Sequence, residues 1–299
     1  MKSSDMQICR LLENVALKQK LTELVGQGKL PHAVLLTAPD GCGRNFLARL
    51  LAADYLGDTS GLVDRGIHPD CLVLEGTGAS GMIPVDSVRG VSFEAGKSAV
   101  TTDGRRVVII KDAHKLNKSS GNALLKVLEQ PVDGVVFILT ARSRFDLLET
   151  IASRVAAFAL TPLCDEECAL EAQRLYPGFD KKRLADICRR FDGRLGLIKA
   201  AMADPKLLEL SDCAAKICEC AERRDKLSVL SCLDCAGGRQ EIKTLLYFTA
   251  LCKKADIFFE ITADAKSAQT LISACFAAIG DIDRNINQKL LCARFAAAL

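Results

Sequence analysis

The sequence contains no apolar run that approaches the ~18 residues a helix needs to cross a bilayer. Met1 to Arg10 also lacks the basic and then apolar layout of a secretory signal. We therefore expect a cytoplasmic protein with no membrane partner. A strong excess of one charge is missing too, because 40 basic and 37 acidic residues leave a formal charge of +3. So small an excess does not favour nonspecific binding to nucleic acid, and any contact with DNA should be local.

The 14 cysteines do not by themselves indicate disulfides, because a large chain without an export signal favours reduced thiols. One spacing is typical of a metal site, since two close groups of cysteines could together supply four thiolates. These groups are Cys213, Cys218 and Cys220, followed by Cys232 and Cys235. The region has helical periodicity, and free cysteine behaves as a small buried hydrophobe. We therefore predict no metal site, with a zinc-binding or thiol-based helical protein as the alternative.

Short β-rich segments alternate with helical segments from Leu30 to Leu160, a pattern typical of a parallel sheet with helices on both faces. Several of these segments are continuously apolar, as strands buried on both faces should be. The amphipathic segment NKSSGNALLKVLEQP predicts a helix that stops before Pro131. The predicted strands are Ala33–Thr37, Cys71–Glu75, Arg106–Ile110, Val135–Thr140 and Ala156–Leu160.

After Leu160 the chain has only helical patterns, first three short helices and then an apolar bundle. Asp204-Pro205 is the predicted linker between them, because a residue that precedes proline is pushed out of the helical region. We therefore predict an α/β sheet domain over residues 1–160, a three-helix unit over 161–203 and an all-α unit over 204–299.

The turn after the first predicted strand has the position of a phosphate-binding loop but not its residues. A working loop reads G-x-x-x-x-G-K-[ST] and holds phosphates and magnesium with backbone amides, the lysine and the hydroxyl. Here those slots hold Ala38, Gly43, Arg44 and Asn45. A planar guanidinium does not replace a compact ammonium, and asparagine has no hydroxyl. We therefore predict that Gly41 and Gly43 only shape a tight turn, although the helix N-terminus leaves weak phosphate binding open.

The strand that ends in a magnesium-binding aspartate in an NTPase also differs here from the pattern of an active site. In VVIIKDAH, Lys111 stands where an NTPase strand normally ends in that aspartate. An ammonium that faced a divalent cation at ~4 Å would cost on the order of 8 kcal/mol at an effective dielectric of ~20. Asp112 can instead be aligned with the aspartate, and the sequence leaves both alignments open.

Several segments resemble, in order, the motifs of bacterial clamp-loader subunits, which belong to the AAA+ family. LPHAVLLTAPDGCGR and RRVVIIKDAHKLNKSSGNALLKVLEQP resemble the nucleotide-domain motifs of these subunits. FILTARSRFDLLETIASRV resembles their segment with the sensor threonine, here Thr140, and the Ser-Arg-Cys motif, here Ser153-Arg154-Val155. DIDRNINQKLLCARF resembles their Arg-Asn-x-Asn helix, here with Arg284, Asn285 and Asn287. The resemblance implies an AAA+-type sheet domain, a small helical lid and an all-α C-terminal collar.

Within that family, the ATP-hydrolysing gamma/tau subunits carry an intact phosphate loop and a four-cysteine zinc module. The loop is degenerate here, and Asp54 to Asp70, the stretch that matches the zinc module, contains no cysteine. Both departures favour the non-hydrolysing delta-prime class, for which no cofactor and no activity are expected at the chain's own site. An ATP-hydrolysing motor subunit or another AAA+ ATPase is the alternative.

The resemblance also implies a mechanism, because these subunits form rings in which each ATP faces a neighbour's Ser-Arg-Cys arginine. Arg154, with Ser153, is then expected to act in trans on magnesium-ATP held by a neighbouring subunit of the DNA polymerase III clamp loader. On residue type alone, Arg154 would instead cap the preceding helix and pair with Glu149. The implied partners are the gamma/tau and delta subunits, the sliding clamp, and primer-template DNA contacted through its backbone during replication.

Overall fold

The computed structural model describes most of the chain, namely residues 6–78, 81–101, 103–258, 265–284 and 286–298. The chain divides into two compact units, Met1–Pro162 and Leu163–Leu299. None of the helices in these described ranges is both long enough and apolar enough to span a membrane.

The first unit is built on a parallel sheet of five strands in the order β2-β3-β4-β1-β5, which confirms the predicted parallel α/β architecture. Two strands, β1 and β3, have the predicted bounds, whereas β2 and β5 end one residue earlier and β4 continues one residue further. The strands are β1 (Ala33–Thr37), β2 (Cys71–Leu74), β3 (Arg106–Ile110), β4 (Val135–Ala141) and β5 (Ala156–Ala159).

Strand β1 lies inside the sheet, between β4 and β5. Leu35 of β1 is in register with Leu139 of β4 and with Ala157 of β5. The strand order reverses at this point, and open α/β sheets bind ligands at the carboxyl ends of the strands beside such a reversal. The turn that follows Thr37 therefore occupies the position from which a phosphate loop would act.

Helices cover both faces of the sheet. Neighbouring residues of a strand point to opposite faces, so they pack against different helices. Val34 and Leu36 of β1 belong to the hydrophobic cluster that includes helix Arg44–Leu56, whereas Ala33 and Leu35 belong to the cluster that includes helix Lys118–Glu129. The helices of this unit are α1 (Val15–Gly26), α2 (Arg44–Leu56), α3 (Val85–Ala95), α4 (Lys118–Glu129) and α5 (Glu149–Ala152).

Helix α4 confirms the amphipathic helix predicted ahead of Pro131. It begins after Asn117, whose side-chain oxygen accepts a hydrogen bond from the Ser120 N–H at 2.8 Å and so satisfies one free donor of the first turn. Leu124 and Leu128 on its inner face are buried against the sheet. The helix ends at Glu129, two residues before the proline.

In the second unit, the described residues form helices joined by turns and contain no strand. They pack around one hydrophobic cluster to which both the short helices and the later, longer ones contribute. The helices are α6 (Asp165–Leu175), α7 (Lys181–Arg190), α8 (Leu195–Ala203), α9 (Pro205–Glu222), α10 (Lys226–Leu233), α11 (Arg239–Phe258), α12 (Ala265–Asp283) and α13 (Gln288–Ala298). The finer division of this unit into a lid and a collar stays a prediction.

Asp204-Pro205 is not an extended linker, because a single residue separates α8 from α9. The Asp204 carboxylate accepts the Lys206 N–H at 2.9 Å and so caps α9. Proline is suited to the first helical position, where its missing N–H would have no intrahelical partner. The proline thus ends one helix and starts the next.

The cysteines with metal-like spacing lie on α9 and at α10 as two facing pairs and one separate thiol. Cys213 faces Cys235, and Cys220 faces Cys232. Burial, followed by the contact with Cys235, raises the pKa of Cys213 to about 11. The Cys218 thiol instead donates to the Thr249 carbonyl at 3.6 Å. Nowhere in the described part of the chain do three His, Cys, Asp or Glu side chains form a group that could hold a metal ion.

Candidate functional site

The turn between β1 and α2 is shaped by two glycines with left-handed backbone. Gly41 has a φ of 88° and Gly43 a φ of 89°, a region that side chains with a Cβ rarely adopt. The turn is tied to the end of β4 by the Ala38 N–H, which donates to the Ala141 carbonyl at 3.2 Å. Helix α2 then begins directly at Arg44. The structure therefore has the backbone turn of a phosphate loop at the expected place.

The Arg44 side chain lies across this turn and is only 9% exposed. One of its terminal nitrogens, Nη1, donates to the Ala38 carbonyl at 3.1 Å and is 2.8 Å from Asp40 Oδ1. The other, Nη2, is 2.7 Å from Asp112 Oδ1. Burial alone would lower the pKa of Arg44, but the hydrogen bonds to Asp112 and Asp40 outweigh it and raise the pKa. The guanidinium is thus bound by carboxylates of its own chain.

Asp112 follows β3 and has a φ of 51°, in the left-handed region. Besides Arg44, its carboxylate binds the Lys115 ammonium, with Oδ2 and Nζ 3.2 Å apart. Burial alone would raise the pKa of Asp112, but Arg44 and then Lys115 outweigh it and lower the pKa. Of the two alignments that the sequence left open, the structure therefore directs the Asp112 carboxylate toward the loop.

Lys111 does not enter the loop. Its ammonium is 2.7 Å from Glu75 Oε2, just beyond β2, and its backbone N–H continues the ladder by donating to the Leu74 carbonyl at 2.8 Å. The backbone leaves the extended conformation at Asp112, and the two neighbouring side chains therefore point to different partners, Asp112 to Arg44 and Lys111 to Glu75. The condition for repulsion between Lys111 and a bound cation, an ammonium that faces the loop, is therefore not met.

Thr140 on β4 is fully buried and links three elements. Its hydroxyl donates to Asn45 Oδ1 at 2.7 Å and accepts the Asp112 N–H at 3.0 Å. Asn45 stands in α2 where a working loop has the magnesium-binding hydroxyl. The predicted residues Arg44, Asn45, Asp112 and Thr140 therefore form one connected hydrogen-bond network.

Arg154 follows α5, just before β5, and its side chain is 38% exposed. Its Nη2 is 2.8 Å from Glu129 Oε1 at the end of α4. Its Nη1 donates to the Thr150 carbonyl at 2.9 Å and to the Ser153 hydroxyl at 3.3 Å. The alternative interpretation of Arg154 from residue type alone is thus wrong about Glu149 as the ionic partner, although the arginine does cap the end of α5.

Four partners of these residues were not predicted from the sequence. Asp40 stands four residues before Arg44 but precedes α2, so only its closeness along the chain indicates the pair, since the rule for charges four residues apart applies within a helix. Lys115 lies three residues after Asp112 and carries the same kind of signal. Glu75 and Glu129 approach their partners only because distant strands and helices pack together, and no local pattern indicates them.

The residues expected in the C-terminal collar are only partly described. Asn287 accepts the Lys289 N–H at 3.0 Å and caps α13, while Arg284 follows the end of α12. Asn285 lies outside the described residues.

The comparisons with known proteins match the first unit most clearly. A family model described as DNA polymerase III, delta subunit, matches residues 13–164, about half of the 299-residue chain. DNA polymerase III subunit delta' of Pseudomonas aeruginosa is 35% identical over 162 residues, 50% of this chain and 49% of that protein. The protein of the same name from Haemophilus influenzae is 26% identical over 246 residues, 79% of this chain and 74% of that protein. The chain thus spans about half the length of the first relative.

Among solved structures, a DNA polymerase III gamma subunit-related protein from Thermotoga maritima is similar with a TM-score of 0.57. The two chains are 17% identical, and the similarity covers 93% of this chain and 97% of that one. At this identity the likeness shows a shared fold. The matched family model, which covers about half of the chain, shows that the chain belongs to the DNA polymerase III delta-subunit family.

Proposed function

We propose that the chain is a non-hydrolysing member of a DNA polymerase III clamp loader. It holds no magnesium-ATP of its own, offers Arg154 in trans to nucleotide bound by a neighbouring subunit, and helps to load the sliding clamp onto primed DNA. Gamma/tau-type and delta-type subunits are its partners in the ring.

The ion-pair network around Arg44 carries the first part of this proposal. A magnesium-nucleotide site needs a compact ammonium for the phosphates, a hydroxyl for the metal and a free carboxylate near it. Here the carboxylate of Asp112 is bound to Arg44 and Lys115. The slot for the hydroxyl holds Asn45, whose side-chain oxygen already accepts from Thr140. The residues present therefore do not fit magnesium-ATP.

The exposure and chemistry of Arg154 support the second part. Its guanidinium lies at the protein surface and is preorganised by a helix carbonyl and a hydroxyl, so less side-chain entropy is lost when it meets an anion. A guanidinium supplied in trans stabilises the charge of phosphoryl transfer and is worth ~10³ to 10⁵ in rate, about 4 to 7 kcal/mol. A chain without an ATPase site could therefore control hydrolysis in its neighbour.

Contact with primer-template DNA would be through the phosphate backbone and therefore sensitive to salt. The formal charge of +3 suits a chain that contributes only part of a DNA-binding surface.

The test is Arg154→Ala in a loader reconstituted with the gamma and delta subunits of the same organism. With clamp and DNA present, we expect the amplitude of the fast phase of ATP hydrolysis to fall by the share of the one ATP site that this chain completes. Hydrolysis at that site should slow by ~10³ or more. Arg174→Ala is the matched control, because Arg174 also pairs with a glutamate, Glu171, at 2.8 Å. An unchanged fast phase in a fully assembled Arg154→Ala loader would refute the assignment.

A further inference from the structure

Arg154, the arginine proposed to act in trans, forms an ion pair with Glu129 in this structure. Glu129 is the last residue of α4, while Arg154 follows α5. The pair joins Nη2 to Oε1 at 2.8 Å, and the two side chains are 38% and 49% exposed. A carboxylate presents a guanidinium with the same planar, charged acceptor geometry as a phosphate. Glu129 therefore occupies the side of Arg154 that a phosphate would use.

We propose that Glu129 is a positioning residue, which holds Arg154 in a resting orientation until the nucleotide of a neighbouring subunit displaces the Glu129 carboxylate from the guanidinium. This inference rests on the proposed function of Arg154. In the resting chain the Glu129 carboxylate competes for the guanidinium, and a polyphosphate with several negative oxygens replaces it when the subunits close. The rate of ATP hydrolysis by the neighbouring subunit is therefore low before the loader has bound its clamp and DNA.

The position of Glu129 is not explained by the stability of α4. The C-terminal end of a helix carries a partial negative charge, so an acidic residue there is electrostatically unfavourable. Glu129 nevertheless stands at that end, and the cation it faces is Arg154. The carboxylate is therefore placed where its favourable contact is with the arginine rather than with its own helix.

Helix α4 packs closely against the segment that leads into α5. Gly121 of α4 lies so near Leu148 that a Cβ added at the glycine would be 2.4 Å from a methyl carbon of the leucine. Ile151 of α5 lies next to the same glycine. The two segments thus approach closely at the first turn of α4, while Glu129 at the other end of α4 reaches Arg154 beyond α5.

The pair is weak enough to be exchanged. Ion pairs between partly exposed side chains are worth little in water, and their loss corresponds to roughly a two- to fivefold change in an equilibrium. The other two contacts of Arg154, to Thr150 and Ser153, are local and can persist when Glu129 leaves. Release of the carboxylate therefore reorients the arginine without unfolding the turn that carries it.

The test is Glu129→Gln in the reconstituted loader, with ATP hydrolysis measured both without and with clamp and DNA. We expect the unstimulated rate to rise about two- to fivefold and the fully stimulated rate to stay the same. Glu149→Gln is the matched control, since no described ion pair involves Glu149 and it stands on the neighbouring helix α5. It should leave both rates unchanged.

The double variant Glu129→Gln with Arg154→Ala separates this inference from the proposed function. If Glu129 acts through the arginine, its substitution has no effect once Arg154 is alanine. An unchanged or lower unstimulated rate for Glu129→Gln alone, while Arg154→Ala still slows hydrolysis, would overturn the role of Glu129 and leave the proposed function intact. If Arg154→Ala itself has no effect, the proposed function fails and this inference fails with it.

Discussion

Replacing Arg44 by alanine removes the cation that fills the β1–α2 turn. The variant leaves the Asp112 carboxylate with only the Lys115 ammonium at 3.2 Å and leaves Asp40 without its partner at 2.8 Å. The Ala38 carbonyl loses its hydrogen bond as well. The perturbation thus concentrates on the connection between α2 and the ends of β1 and β3.

The expected loss of stability is about 2 kcal/mol. Breaking a fully buried ion pair costs about 3 to 5 kcal/mol, whereas a surface pair is worth about 0 to 1 kcal/mol. The Arg44 side chain is 9% exposed, but Asp112 is 24% and Asp40 46% exposed, so water compensates part of the loss. A value between these limits corresponds to a roughly 30-fold increase in the opening equilibrium of the sheet.

The loss should depend on pH in a defined direction. Because Arg44 lowers the pKa of Asp112 in the folded protein, the stabilisation is fully present above the ordinary pKa of an aspartate, about 3.9. It is lost as the pH falls through the lower, folded value. The difference between wild type and Arg44→Ala should therefore be full at pH 7 and shrink below about pH 4.

Amide hydrogen exchange of β1 and β3, followed by mass spectrometry, measures this locally without requiring the two units to unfold together. Arg49→Ala is the matched control on α2, since its ion pair with Asp64 is longer, 3.6 Å, and both side chains are more than a third exposed. The control should change stability by less than about 1 kcal/mol. If Arg44→Ala changes it no more than the control does, the structural importance of the network is refuted.

Two further predictions concern stability. Asp70 is fully buried and accepts hydrogen bonds from two backbone N–H groups and from Arg106. Burial alone would raise the pKa of Asp70, but these hydrogen bonds outweigh that effect and lower the pKa to about 2. Asp70→Asn should cost about 3 kcal/mol at pH 7, and urea unfolding should show this deficit shrinking as the pH falls from about 4 through 2. Gly193 has a φ of 66°, and an added Cβ would be 1.8 Å from the Leu163 carbonyl oxygen. Gly193→Ala should destabilise the second unit by at least about 2 kcal/mol in thermal unfolding, and a change below about 0.5 kcal/mol would contradict the close approach.

The five strands could be predicted almost completely from the sequence, because short, continuously apolar runs are typical of strands buried on both faces, whereas their order in the sheet was not predicted. The bounds of β1 and β3 were correct since Pro31 and Gly104 stand just before them and polar turns follow. The Asp204-Pro205 junction was predicted less well. Proline signals both the end of one helix and the first turn of the next, and sequence alone does not say which applies.

The site could be predicted as a set of residues but not as a set of contacts. Lys111 and Asp112 are adjacent, and a shift of one residue decides which side chain faces the loop. The left-handed backbone of Asp112 makes that decision, and aspartate occupies such a conformation too rarely for the sequence to indicate it. The Glu129 partner of Arg154 is 25 positions away along the chain and depends on how α4 packs, whereas residue type and closeness along the chain offered only Glu149 as an alternative partner.

Calorimetric titration of the isolated 299-residue chain with ATP, in the presence and absence of magnesium, tests the central claim most directly. Because the loop is filled by Arg44 and its two carboxylates, we expect no saturable heat of binding up to millimolar ATP, with or without the metal. Saturable binding at micromolar ATP that requires magnesium would show that this chain keeps a working nucleotide site.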